Sequence, residues 1–284
     1  MGRIKDIGKL EGTVLVFGGV YSNLQALESL KAIVDEMNIP ASNVICTGDI
    51  AGYCADPEES QQLIKNWGIH CIAGNVEIQL REGLEDCGCD FSVDSRCDIF
   101  AKAWYPYAQK KTSTDTVAWL EKLPEFLSFD YYGKKGVVVH GSYAHTSEFV
   151  FQSTPWEKKE ATFEATNADF ILAGHCGLPF NNQKADQYWL NPGVIGMPAN
   201  DGTTRVWYML LQKTEDGLLF EHKSFDFDHE ETFARMLETE LPIAYAKTLT
   251  SGLWDNNDIL PEQETQAQGQ RLSFEPIRLV WDKV

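Results

Sequence analysis

Short apolar runs, each closed by a glycine beside one polar side chain, recur along the first two thirds of the chain. Asn43-Val44-Ile45-Cys46-Thr47 leads to Gly48-Asp49, His70-Cys71-Ile72-Ala73 to Gly74-Asn75, Val137-Val138-Val139 to His140-Gly141, and Phe170-Ile171-Leu172-Ala173 to Gly174-His175. Runs of this length and composition read as buried strands. Between them, Asn23 to Met37 places Leu24, Leu27, Leu30, Ile33 and Val34 on one helical face, so residues 13 to 77 alternate strand, helix, strand, helix, strand. From Leu80 to about Lys135 the pattern changes to polar helices, including Ile99 to Tyr107 and Thr114 to Leu123. Strands return at 136–140, 170–173, 188–191, 205–212 and 218–225, the last two joined as a hairpin through Thr214-Glu215-Asp216-Gly217. Beyond Asp226, helices are expected around His229 to Glu240 and Ile243 to Ser251. They are followed by an exposed polar tail, Asn256 to Gln270, and an apolar end, Ile277 to Trp281, that docks on this subunit or another.

Composition narrows the class. The 284 residues, 43% hydrophobic, suffice for one large core. No apolar leader occupies Met1 to Gly12 and no run of 18 apolar residues occurs, so the expectation is a cytoplasmic protein with no membrane partner. A net charge of −18 argues against a nucleic-acid backbone as a standing partner and raises the value of a bound cation. Seven cysteines, with Cys87-Gly88-Cys89 and Cys97 close together, lack the fourth ligand of a zinc knot and read as free thiols.

The four strand ends carry the chemistry. In open α/β sheets, polar side chains converge where the carboxyl ends of strands meet loops, and glycine there permits close backbone approach. One carboxylate (Asp49), one amide (Asn75) and two imidazoles (His140, His175) form a mixed oxygen and nitrogen set suited to one borderline divalent ion, Mn, Fe or Zn. A lone His or Asp after a strand is usually a turn or cap residue; four in this order are not.

These segments, with Asn23-Leu24-Gln25-Ala26-Leu27, Gly48-Asp49-Ile50-Ala51-Gly52-Tyr53 and Asn191-Pro192-Gly193-Val194-Ile195-Gly196-Met197-Pro198, resemble the calcineurin-like metallophosphoesterases of the bacterial branch with a short helical cap. The likeness spans about residues 13 to 212. It implies a single α/β domain, a four-layer α/β/β/α sandwich, with a helical cap at 80–135; beyond it the chain's own pattern adds a C-terminal helical extension and tail at 226–284. The likeness implies a phosphoesterase acting on a small phosphorylated molecule or nucleotide; a homo-oligomer is a separate expectation, from the apolar end at Ile277 to Trp281. By the same resemblance Asp49, Asn75, His140 and His175 hold metal, Asn23 and Asn75 contact phosphate, and Glu77 orients a ligand by hydrogen bonding.

The departures are equally specific. Gly19-Val20-Tyr21 stands where the family has Asp-x-His, Gly174-His175-Cys176-Gly177 where it has Gly-His-x-His, and Val76 where many members carry a proton-donating His. Family catalysis uses two ions about 3.5–4 Å apart to stabilise the attacking and leaving groups. Here only one position keeps its ligands, so the expectation is a mononuclear site or an empty relic, with weak hydrolysis or a silent phosphate-, nucleotide- or metal-binding relative. Tyr21 is expected to fill the vacated position, and Cys176 to be a buried thiol rather than a ligand. His145, five residues after His140, reads as a solvated loop residue.

Overall fold

The computed structural model describes residues 4–281. In chain order the strands and helices are β1 (Ile4–Leu10), β2 (Val14–Phe17), α1 (Leu24–Glu36), β3 (Val44–Cys46), α2 (Pro57–Trp67), β4 (His70–Cys71), α3 (Asn75–Glu82), α4 (Arg96–Lys111), α5 (Thr114–Leu120), β5 (Phe126–Tyr131) and β6 (Lys134–Val138). The second half adds α6 (Trp156–Thr166), β7 (Phe170–Leu172), β8 (Pro179–Lys184), β9 (Gln187–Pro192), β10 (Val206–Lys213), β11 (Gly217–Phe225), α7 (His229–Glu238), α8 (Ile243–Ser251), α9 (Glu262–Gln266) and β12 (Ile277–Val280).

Two six-stranded sheets result, in the orders β1-β5-β6-β7-β9-β8 and β12-β11-β10-β2-β3-β4. Alternate residues of one strand serve different layers, as a period of two requires. Val14 and Val16 join Ile45, Val138, Leu172, Met209 and Phe220 in the core between the sheets, whereas Leu15 and Phe17 pack outward with Leu27, Leu30 and Val34 of α1. On the other outer face Val137, Val139 and Ile171 pack with Phe163 of α6 and Trp189. Helix, sheet, sheet and helix thus form four layers, each apolar face covered by the next.

The β2, β3 and β4 ladder is parallel, as is β6, β7 and β9. Their carboxyl ends therefore point the same way within each sheet, and the Gly-rich loops that follow them emerge together. The antiparallel β10–β11 hairpin extends the first of these sheets, and β12 pairs with β11 in register Gly217 to Val280. The apolar end thus docks on its own subunit.

Three expectations are corrected. The helical insertion does not run to residue 135: Phe126–Tyr131 form β5, paired with β1 and β6 inside the sheet, so the helical part ends before Phe126. The polar stretch 256–270 is not a free tail, because Glu264 on α9 accepts hydrogen bonds from Ser153 N (2.9 Å) and Oγ (2.6 Å), and Leu260 is buried. Strands β1 and β8 were not expected. Both lie at sheet edges, where β1 buries only Leu10 and the polar half of β8 faces out, so neither shows a strand period in the sequence.

Candidate functional site

Each of the four chemical side chains sits just beyond a strand, and glycine makes their approach possible. A Cβ on Gly74 would lie 2.3 Å from Asp49 Oδ1, and one on Gly48 (φ +95°) would lie 2.9 Å from His140 Nδ1. Asp49 (φ 56°) and His175 (φ 61°) both occupy the left-handed region, uncommon for residues with a Cβ and typical of functional turns. Glu77, on the first turn of α3, holds this geometry. Its carboxylate accepts from the backbone N–H of Asp49 (2.8 Å), Ile50 (2.8 Å), Ala51 (3.3 Å) and Gly74 (2.9 Å), clamping the β3 loop to the start of α3. Burial and the neighbouring Asp49 charge push its acid up to about 7.

His140 is the hub. Its Nδ1 lies 2.7 Å from the Thr47 carbonyl, which can only accept, so Nδ1 carries a proton. Nε2 then faces Asn75 Oδ1 at 3.0 Å, Asp49 Oδ2 at 3.1 Å and His175 Nδ1 at 3.1 Å. Asn75 is oriented by its own amide N–H groups, donated to the Cys87 carbonyl (2.7 Å) and Cys89 Sγ (3.0 Å), which turn its oxygen toward the cluster. Four groups thus direct lone pairs at one small volume, and the carboxylate and both imidazoles present candidate ligand atoms all within 4.8 Å of one another. With His175 protonated on Nε2, a proton on His140 Nε2 or a cation satisfies such an arrangement. All four residues are buried.

The charges respond accordingly. Burial opposes the imidazolium of His140, but the adjoining Asp49 carboxylate and the Thr47 carbonyl outweigh it and hold its pKa above the ordinary imidazole range. Burial likewise opposes ionisation of Asp49, yet the two histidines keep its acid below the usual carboxylate value. Burial and the His140 charge push His175 down to about 3, leaving a neutral ring at neutral pH with one nitrogen protonated and the other free to accept or ligate. Its Nε2 is buried without a well-formed hydrogen bond among the described residues. The donor set, one anionic oxygen, one neutral oxygen and two imidazole nitrogens, fits a borderline divalent ion.

The surroundings close the neighbouring position. Tyr21, itself at φ 52°, is seated among three glycines from three segments. A Cβ on Gly19 would fall 2.6 Å from its ring, one on Gly52 2.8 Å from its Cα, and one on Gly196 2.6 Å from its Cβ. Tyr53 meets the ring edge-on at 5.1 Å and stacks in turn on Tyr245 of α8 at 4.4 Å. At Gly177 a Cβ would meet the Trp254 ring at 3.2 Å. The positions that the family resemblance would give to a carboxylate and two imidazoles are here a glycine under a tyrosine ring, that tyrosine, and a glycine under a tryptophan.

Cys176 turns away into the outer core, where Asn191 Nδ2 donates to its sulfur (3.3 Å) and burial pushes the thiol up to about 12. Asn23 does not match the phosphate-contacting role expected of it. It is fully buried as the cap of α1, accepting from Ala26 N (3.1 Å) and Thr232 Oγ1 (3.0 Å) and donating to the Gly196 carbonyl (3.3 Å). His145 is exposed, 3.5 Å from Asp90 of the insertion. Glu77, expected to hydrogen-bond a ligand side chain, instead holds the Asp49 loop through four backbone N–H groups; Phe149 stacked on His175 at 4.3 Å and the Cys87-Cys89 loop against Asn75 escape the sequence pattern altogether. They are contacts between distant segments with no local periodicity, and only the Gly88 between two cysteines hinted at the last.

Comparison with known proteins gives the family and the fold. A family model for the calcineurin-like phosphoesterase superfamily domain matches residues 16–216. The protein MJ0912 of Methanocaldococcus jannaschii is 23% identical over 252 residues, covering 82% of this chain and 95% of that protein. Among solved structures, a metallophosphoesterase from Sphaerobacter thermophilus superposes with a TM-score of 0.67 at 21% identity, covering 86% of this chain and all (100%) of that one. The protein PH1004 of Pyrococcus horikoshii OT3 superposes with a TM-score of 0.70 at 19% identity, covering 85% and 99%. Both structures share the fold. The family match spans the strands and loops that build the Asp49, Asn75, His140 and His175 cluster, and the chain belongs to the calcineurin-like phosphoesterase superfamily.

Proposed function

We propose that this protein is a phosphoesterase that works with a single divalent ion held by Asp49, Asn75, His140 and His175, on a small phosphorylated molecule. One observation carries the reading: His140, fixed by the Thr47 carbonyl, aims an unshared nitrogen at a carboxylate, an amide oxygen and a second imidazole, all about 3 Å away. A bound Mn, Fe or Zn would polarise a phosphoryl oxygen and lower the pKa of a coordinated water. Asp49 supplies the only negative charge in the donor set. Glu77 keeps the Asp49 loop in its left-handed turn, and the Cys87 carbonyl keeps the Asn75 oxygen inward. Val76 offers no proton to the leaving oxygen, which forgoes general acid assistance of typically 10²–10⁴-fold, so slow turnover is expected.

A second reading rests on burial. With His175 covered by Phe149 and Tyr21 packed beside the cluster, a silent relative that binds metal or phosphate without turnover fits the same geometry. Hydrolysis of a nitrophenyl phosphodiester, with and without Mn, separates the two. Turnover that requires Mn and disappears in His140→Ala supports the enzyme. Stoichiometric Mn binding without turnover supports the silent relative, and neither binding nor turnover removes both.

A further inference from the structure

Cys87 and Cys89 stand at the rim of the cluster rather than in a remote part of the insertion. Both are free thiols and largely buried, with their sulfurs 2.7 Å apart, closer than ordinary sulfur–sulfur contact. Gly88 between them adopts φ +67°, and a Cβ there would lie 2.5 Å from the Gln79 amide, so the tight loop requires glycine. The same loop makes both hydrogen bonds that orient Asn75, through the Cys87 carbonyl and Cys89 Sγ. Outside it lies a cleft of mixed polar and apolar lining that Cys87 and Cys89 border with Asp86, Phe91, Asp98 and Lys102.

We infer that Cys87 and Cys89 form a reversible disulfide whose closure loosens the hold on Asn75 and weakens metal binding at Asp49, His140 and His175. The chemistry needs a two-electron oxidant, for which hydrogen peroxide is the probe. One cysteine sulfur attacks a peroxide oxygen, giving a sulfenic acid and water. The second sulfur displaces the sulfenic hydroxyl, forming the S–S bond and releasing a second water, so that two thiols and one peroxide become one disulfide and two waters. A dithiol reductant reverses it by exchange through a mixed disulfide. A bridge spanning a single intervening residue is strained, and strained disulfides are the readily reduced ones. Bond formation draws the two sulfurs together and moves the loop. The carbonyl that receives the Asn75 amide moves with it, and a disulfide sulfur replaces the thiol at Nδ2. Loss of a group that orients a metal ligand typically weakens metal affinity 10–100-fold.

The metal half of this inference rests on the proposed function, and the experiment keeps the two apart. The full-length protein is treated with equimolar hydrogen peroxide and mapped by peptide mass spectrometry, and Mn affinity is measured by calorimetry before treatment, after it and after dithiothreitol. The expected result is a Cys87–Cys89 crosslink, a 10–100-fold weaker Mn affinity and recovery of both on reduction. Cys87→Ser, which cannot form the bridge, should show the same Mn affinity before and after peroxide, whatever its value beside the parent; Cys87→Ala serves if the serine variant misfolds. Added oxygen without a crosslink, a crosslink elsewhere, or a Cys87–Cys89 crosslink with unchanged Mn affinity overturns the inference. If the reduced parent binds no Mn, the metal reading falls, and with it the coupling; the mass map then decides the disulfide alone.

Discussion

Replacing Gly19 by alanine tests directly whether Tyr21 fills the vacated metal position. The added methyl would sit 2.6 Å from Tyr21 Cε1 and Cζ and 2.9 Å from Val194 Cγ1, well inside contact distance. The ring has little room to retreat. Tyr53 packs on its edge, Gly52 and Gly196 already crowd its Cα and Cβ, and its backbone N–H donates to the Asp49 carbonyl at 3.1 Å. Gly19 itself is not in the left-handed region, so the cost is packing rather than backbone strain. Overpacking of this kind costs about 1–3 kcal/mol. In a chain of this size the midpoint of thermal unfolding should fall by roughly 2–4 °C for each kcal/mol. Tyr21→Ala alone empties a buried aromatic site and should cost about 3–5 kcal/mol, the range for large aromatic truncations. In that background the two Tyr21 ring contacts are gone and the Val194 contact remains, so the cost of Gly19→Ala should drop by about 1–2 kcal/mol, the coupling the cycle measures. Urea denaturation of the four proteins measures the cycle. If Gly19→Ala costs the same in both backgrounds, to within the additivity of independent sites, Tyr21 does not occupy the space over Gly19 and the plugged-site argument fails.

Gly74→Ala should be more damaging to function than to fold, because the new Cβ would lie 2.3 Å from Asp49 Oδ1 and 2.8 Å from His140 Cε1; Mn affinity measured by calorimetry should fall at least tenfold while circular dichroism stays native. Stability should depend on pH in a metal-sensitive way. Glu77, raised to about 7, and His140, raised above the ordinary imidazole value, both hold protons that the unfolded chain gives up earlier. Their stabilisation is therefore complete at acid pH and lost as pH rises through their folded values. Asp49, held low, acts oppositely only in strong acid, whereas His175, at about 3, and His222, at about 4, act oppositely until the unfolded imidazole has lost its proton at about pH 7. Metal-free protein should thus melt at falling temperature from about pH 7 to 8, and saturating Mn should flatten that slope because the cation replaces the His140 proton. A metal-free protein that grows more stable across this interval would show the protonation assignments to be wrong.

Much of this site was legible in the sequence because each ligand stands beside a glycine after a three- or four-residue apolar run. A buried strand and a close-approach turn leave that local signature, and Asp49, Asn75, His140 and His175 carry it. The departures at Gly19, Tyr21 and Gly177 stand out for the same reason, since neighbouring residues keep the family's register. What the sequence did not reveal depends on contacts without a period. Trp254 reaches Gly177 from 77 positions downstream, Phe149 covers His175 from a loop, and Arg235 of α7 grips the buried Asp56 at the start of α2. Asn23 misled because an asparagine ahead of a helix suits both a phosphate contact and a cap, and only the structure shows its hydrogen bonds spent on Ala26, Thr232 and Gly196. The edge strand β1 hid because six of its seven residues face outward or lie half-buried.

The most direct test of the account is the metal content of the purified protein after equilibration with Mn, measured by elemental mass spectrometry on the parent and on His140→Ala. One tightly held ion per chain, lost in the variant, is the result the four converging lone pairs predict. Two ions per chain would contradict the plugged second position, and none would contradict the site itself.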